Sequence, residues 1–105
     1  MSERHFACIT SDLAPGSSLI VAGTEPAIAL HRTLEGKFFA TADNCTHEDF
    51  SLGEEGEVEG AEIICPLHMA RFDLATGAPL CLPATRSLAT YKVEIDEDQV
   101  YVTSG

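Results

Sequence analysis

Residues 88–103 read LATYKVEIDEDQVYVT, with Ala89, Tyr91, Val93 and Ile95 alternating against Thr90, Lys92, Glu94 and Asp96. A period of two places the apolar set on one side of an extended chain and the polar set on the other, which describes a strand with one wet face. QVYVT at 99–103 repeats the rhythm, and Glu97-Asp98 between the two runs predicts a hairpin turn. Elsewhere PAIALHRT and KFFATAD are joined by LEG, where Gly36 can take the positive φ of a tight turn. Further strands are predicted at RHFACIT, SLIVAG, AEIIC and around RFD. No stretch of ten or more residues offers helical periodicity free of Gly or Pro, so the expected fold class is all-β, a small barrel or sandwich.

A length of 105 residues is that of one domain, able to bury roughly 60 to 68 per cent of its unfolded surface. We therefore expect a single domain over 1–105, with no internal repeat and no low-complexity linker. No apolar run approaches the roughly 18 residues of a membrane span. MSERHFACITSDL lacks the basic and apolar regions of a secretory signal, so the expected location is the cytoplasm. Seventeen acids against six bases give a net charge of −11. That balance excludes nucleic acid and anionic membrane surfaces as partners, because both reward positive charge.

Four cysteines and four histidines fall unevenly. Cys8 in FACI and Cys81 in PLCLPA have no histidine nearby, and both are expected to be buried small hydrophobes. His5 and His31 lie in strand-like segments and are expected to be structural. The other pairs are Cys45 with His47 in CTH and Cys65 with His68 in CPLH. Together they form C-x-H, 17 residues, C-x-x-H, a spacing whose chance occurrence in this composition is on the order of 1 in 5,000. In a cytosolic chain such cysteines are metal ligands more often than disulfide partners. The four residues could bind tetrahedral zinc as a structural site, although zinc sites usually group their Cys pair and His pair in separate blocks. One Cys and one His from each loop also suits a cluster of two irons, as in Rieske 2Fe-2S centres, where two His replace two Cys on one iron.

CTH and CPLHMARFDLATG resemble the two cluster-binding loops of Rieske-type ferredoxins, and LPA at 82–84 resembles their proline loop. The resemblance extends over nearly the whole chain. It implies the small Rieske barrel with a cluster-binding subdomain at approximately 44–84, one 2Fe-2S cluster, and a protein that is not itself an enzyme. By the family pattern Cys45 and Cys65 hold the inner iron, and His47 and His68 the outer iron near the surface. Two neutral imidazoles in place of two thiolates leave the oxidised cluster formally near neutral, so adding an electron is easier. The added charge in turn favours protonation of the histidines.

The extra cysteine in each loop and the serine of respiratory Rieske proteins are absent from CTHEDF and CPLHMARF. Fewer donors to the cluster sulfurs and nearby carboxylates predict a potential of about −150 mV, the low end of the Rieske range. The chain is similar to the ferredoxin components of bacterial aromatic-ring-hydroxylating dioxygenase systems. That resemblance implies an NADH-dependent flavoprotein reductase as electron donor and a terminal Rieske oxygenase as acceptor; a monomer is expected. The small subunit of a nitrite reductase is the alternative within the fold, and a zinc-stabilised interaction module the alternative outside it. Glu48 and Met69 stand where these ferredoxins commonly have glycine, and neither removes a ligand.

Residues 46–64 are expected to form an anchored loop rather than a strand. Between His47 and Cys65 lie Glu48, Asp49, Glu54, Glu55, Glu57, Glu59 and Glu62, seven acids in 17 residues and no base. Part of this rim is expected to steer the cluster tip toward basic patches on partner proteins.

Overall fold

The computed structural model describes residues 3–24, 27–44, 51–65, 70–81 and 87–104. Among the described residues ten strands form two sheets: β1 Glu3–Ile9, β2 Ser18–Val21, β3 Ile28–Arg32, β4 Phe38–Ala42, β5 Glu57–Glu59, β6 Glu62–Cys65, β7 Ala70–Asp73, β8 Pro79–Cys81, β9 Thr90–Asp96 and β10 Gln99–Ser104. The larger sheet runs β1-β10-β9-β4-β3-β2 and the smaller β5-β6-β7-β8. All the pairings are antiparallel. The all-β expectation holds, and the large sheet curls toward a barrel.

Each predicted strand is present. Glu97 takes φ +59° between Asp96 and Gln99, and Gly36 takes φ +93° between β3 and β4, so both hairpins turn where the sequence placed them. Four elements among the described residues were not anticipated. One is a 3-10 turn at Thr10–Asp12. Two more are a single helical turn, α1, at Leu52–Glu55, and β5, which with part of β6 fill the segment read as a loop. The fourth is β8, a three-residue edge strand that opens on Pro79, where a missing N–H does no harm. The alternation of β9 also fades at its end: Ile95 is 52% exposed. β4 pairs with β9 only at Tyr91 and Thr90, so residues 92–96 have, among the described residues, a strand neighbour on one side alone.

Two hydrophobic clusters fill the interior. Cys8, Leu13, Val21, Ile28, Leu30, Ala40, Val100 and Val102 form the core of the large sheet, with Phe38 packed against it. Leu52, Ile63, Cys65, Ala70, Phe72, Leu74 and Leu88 form the second, against which Phe39 packs. Adjacent phenylalanines of β4 thus serve opposite faces, as the pleat requires. Cys8 is buried, as expected. Cys81 lies in β8.

His31 shares the Phe39 face of the sheet, being its cross-strand partner, and is fully buried. Thr41 Oγ1 donates to the Ala42 carbonyl at 3.0 Å, so its contact of 2.9 Å with His31 is a bond accepted from Nε2–H. The bare Nδ1 then accepts from the Ser18 hydroxyl at 2.6 Å. Every polar atom of the neutral imidazole is satisfied, and burial pushes its pKa down to about 4. The reading of His31 as structural is correct.

This histidine makes stability depend on pH with a defined sign. The unfolded chain binds a proton near pH 6.5 and the folded chain only near 4, so stability is complete above 6.5 and falls as pH drops toward 4. At about 1.4 kcal/mol per pH unit the loss reaches roughly 3 kcal/mol. Urea unfolding across this range measures it. A His31→Gln variant is expected to show a flatter pH dependence over the same interval, whatever its absolute stability.

Candidate metal centre

Of the four proposed ligands, Cys65 lies among the described residues, while Cys45, His47 and His68 lie outside them, as does the LPA segment. Cys65 ends β6, paired with Ala70 at the start of β7, and its side chain is fully buried on the same face as Ile63. The chain between this pair, 66–69, holds His68. Cys45 and His47 lie in 45–50, whose two flanks meet in an antiparallel bridge between Asn44 and Ser51. Each Cys/His segment is therefore closed at its base by backbone pairing.

The second hydrophobic cluster brings these bases together. Leu52 follows the first segment, Cys65 and Ala70 bound the second, and Leu88 follows the segment at 82–86, yet all four belong to one cluster with Ile63, Phe72 and Leu74. Backbone bonds lock the outer flanks: the Leu88 N–H donates to the Gly77 carbonyl at 2.7 Å and the Ala42 N–H to the Ala89 carbonyl at 2.9 Å. The described flanks of three chain segments thus share one apolar cluster, their common floor. One thiol is already on that floor, and a cysteine buried among Leu, Ile and Phe suits a cluster's inner, water-excluded iron better than an exposed zinc site.

The first base is held by polar bonds. The Asp43 carbonyl accepts from the Leu52 N–H at 2.7 Å. Its carboxylate Oδ1 accepts from the Ser51 hydroxyl at 2.9 Å and from the Gly53 N–H at 2.8 Å. Ser51 is also the N-cap of α1, its Oγ accepting from the Glu54 N–H at 3.3 Å. Asp43 was not singled out from the sequence. SLGE at 51–54, a Ser-x-x-Glu signature of a helix start, was the legible signal at this place.

The acidic rim divides into two parts. Arg71 Nη1 reaches Glu62 at 3.1 Å and Glu59 at 3.3 Å, so two carboxylates that face each other directly across β5 and β6 share one guanidinium. These bonds keep the Arg71 pKa above its usual value, through Glu62 first and Glu59 second. Glu54, Glu55 and Glu57 remain exposed with no ion pair among the described residues. Glu48 and Asp49 lie outside those residues.

The model of the Rieske [2Fe-2S] domain matches residues 3–92. The chain belongs to the Rieske 2Fe-2S family. It is 39% identical over 100 residues to the 3-phenylpropionate/cinnamic acid dioxygenase ferredoxin subunit of Escherichia coli strain K12, covering 95% of this chain and 92% of that protein. Its fold matches a chain in the complex of reduced oxygenase and oxidized ferredoxin in carbazole 1,9a-dioxygenase, with a TM-score of 0.84, 38% identity, and coverage of 92% of this chain and 98% of that one. It also matches the ferredoxin of Sphingomonas yanoikuyae B1, with a TM-score of 0.87, 30% identity, and coverage of 98% and 100%. This Rieske protein is an electron carrier of the ferredoxin type rather than a catalytic subunit, and its cofactor is one Rieske 2Fe-2S cluster. The zinc alternative is set aside by that family membership. No helix among the described residues is long and apolar enough to cross a membrane.

This apolar cluster has a measurable share in stability. Leu52 is fully buried, and Leu52→Ala is expected to cost about 2–5 kcal/mol in denaturant unfolding. The same variant should also release iron faster than the wild type, because Leu52 directly follows the Asn44–Ser51 bridge that closes residues 45–50 at their base.

Proposed function

We propose that Cys45, His47, Cys65 and His68 hold the 2Fe-2S cluster, and that the chain, a single Rieske domain over 1–105 with a cluster-binding subdomain at about 44–84, carries electrons singly in the cytoplasm as a monomer. Its donor is an NADH-dependent flavoprotein reductase and its acceptor a terminal aromatic-ring-hydroxylating dioxygenase. The observation that supports this reading most is the shared floor: Leu52, Cys65, Ala70 and Leu88 flank the two Cys/His segments and the LPA segment and pack in one cluster. The 38% and 39% identities to proteins named for dioxygenase ferredoxins favour that acceptor over a nitrite reductase.

When bound, the cluster takes up and releases one electron. The protein's own contribution is threefold. Cys65 supplies a thiolate from a buried position. His47 and His68 supply neutral imidazoles whose outer nitrogens hold or release a proton as the cluster charge changes. Glu54, Glu55 and Glu57, with a net charge of −11 behind them, draw a basic partner surface toward this end of the molecule.

Two measurements test the reading. A redox titration is expected to give a midpoint of about −150 mV, and a clearly positive midpoint contradicts the expected low-potential environment. In a reconstituted system of NADH, reductase and dioxygenase, hydroxylation should require this protein and should slow as ionic strength rises from about 0.01 to 1 M, where the screening length shrinks from roughly 30 to 3 Å. Replacing Glu54, Glu55 and Glu57 by Gln should flatten that salt dependence. Turnover that proceeds equally well without the protein overturns the assignment.

A further inference from the structure

We infer that Asp43 is the positioning residue of the first ligand segment. This inference rests on the proposal that Cys45 and His47 are ligands, and it assigns a role to a residue that is not itself one.

Three observations place Asp43 at the junction. It is buried, 7% exposed, two positions before Cys45 and at the end of β4. Its backbone is fixed to the large sheet, its N–H donating to the Ala27 carbonyl at 3.0 Å. Its side chain and carbonyl then gather the three residues that follow the segment: Ser51 O–H and Gly53 N–H on Oδ1, Leu52 N–H on the carbonyl. One residue entering the segment thus holds three consecutive residues leaving it, in addition to the bridge between Asn44 and Ser51.

Gly53 shows how closely the two sides are drawn together. A Cβ built there would stand 2.8 Å from Asp43 Oδ1, 2.6 Å from Ile20 Cγ1 and 3.0 Å from the Leu19 carbonyl carbon. Ile20 and Leu19 belong to β2, a strand of the large sheet, so the turn α1 is seated on that sheet through a contact that leaves no room for a side chain. The carboxylate, the glycine and the N-cap serine form one joint. It fixes where the first segment begins and ends relative to the sheet, while the apolar floor fixes Cys65.

A joint of this kind acts through the ligands it orients, and loss of an outer-shell partner typically weakens a metal site about 10- to 100-fold. Both bonds to the side chain end on Oδ1, so Asp43→Asn retains the acceptor while Asp43→Ala removes it. Gly53→Ala leaves Asp43 in place and breaks the approach from the other side.

The test is carried out on the cluster-loaded protein with three readouts: the low-temperature electron paramagnetic resonance spectrum after dithionite reduction, the rate of iron release to a chelator, and amide exchange at Gly53. Asp43→Ala and Gly53→Ala are expected to shift the g values, to release iron about 10- to 100-fold faster and, for Asp43→Ala, to expose the Gly53 amide. Asp43→Asn is expected to keep wild-type g values and to release iron within about twofold of the wild-type rate. Wild-type spectra, iron retention and amide protection in Asp43→Ala overturn the inference. Should Asp43→Ala fail to fold, Ser51→Ala carries the test: faster iron release supports the joint and a wild-type rate overturns it. Gly53 amide exchange does not depend on which residues bind iron. A wild-type protein without a nitrogen-ligated cluster signal therefore defeats the ligand assignment, whereas an unaltered Gly53 amide in Asp43→Ala defeats the positioning role.

Discussion

The structure depends on one small apolar cluster. Leu52, Ile63, Cys65, Ala70, Phe72, Leu74 and Leu88 come from four separate stretches of chain, and their burial brings the described flanks of the Cys/His segments into one cluster. Removal of these side chains from water is the non-directional force that assembles the floor. Direction is added by backbone pairing at Cys65–Ala70 and Asn44–Ser51 and by the hydrogen bonds of Asp43. Hydrophobic burial thus brings the flanks together, and polar bonds fix how they meet. The same division of labour recurs at His31, which is fully buried and whose ring two hydroxyls satisfy.

Electrostatics is arranged around that floor. The carrier is strongly acidic, yet Arg71 is placed between Glu59 and Glu62, relieving a pair of like charges directly opposed across the small sheet. Exposed pairs of this kind contribute little to stability; their effect here is on which acids remain available. Glu54, Glu55 and Glu57 are left as the unpaired acids of the rim among the described residues, on α1 and β5, in the stretch joining the two Cys/His segments. A one-electron carrier that serves a donor and an acceptor in turn benefits from attraction that is long-ranged and weak, since steering accelerates encounter without requiring a tight complex.

Much of the fold was legible because it obeys local rules. The period of two in β9 and β10, the turn at Glu97-Asp98 and the glycine after Leu34-Glu35 are written in neighbouring residues. What escaped was short or long-range. β5 is Glu-Val-Glu and β8 is Pro-Leu-Cys, three residues each, too short for a pattern and stabilised by their neighbours rather than by propensity. α1 is one turn, and only its cap signature at Ser51 and Glu54 marks it. The exposure of Ile95 follows from where β4 stops pairing with β9, a tertiary fact that alternation does not encode. The ligand candidates were conspicuous because Cys and His are rare residues at a rare spacing. Asp43, an ordinary acid in an acidic chain, became visible only when the structure showed that its carboxylate is buried and what it binds.

The central claim is that two histidines from separate segments meet on one iron of a single cluster. Electron–nuclear double resonance on protein labelled with ¹⁵N only at histidine, recorded on the dithionite-reduced cluster, tests it directly. The account predicts two distinct, strongly coupled ¹⁵N nuclei, with one lost when either His47 or His68 is replaced. A spectrum with no strongly coupled histidine nitrogen, or with both couplings intact after replacement of His47 and of His68, contradicts it.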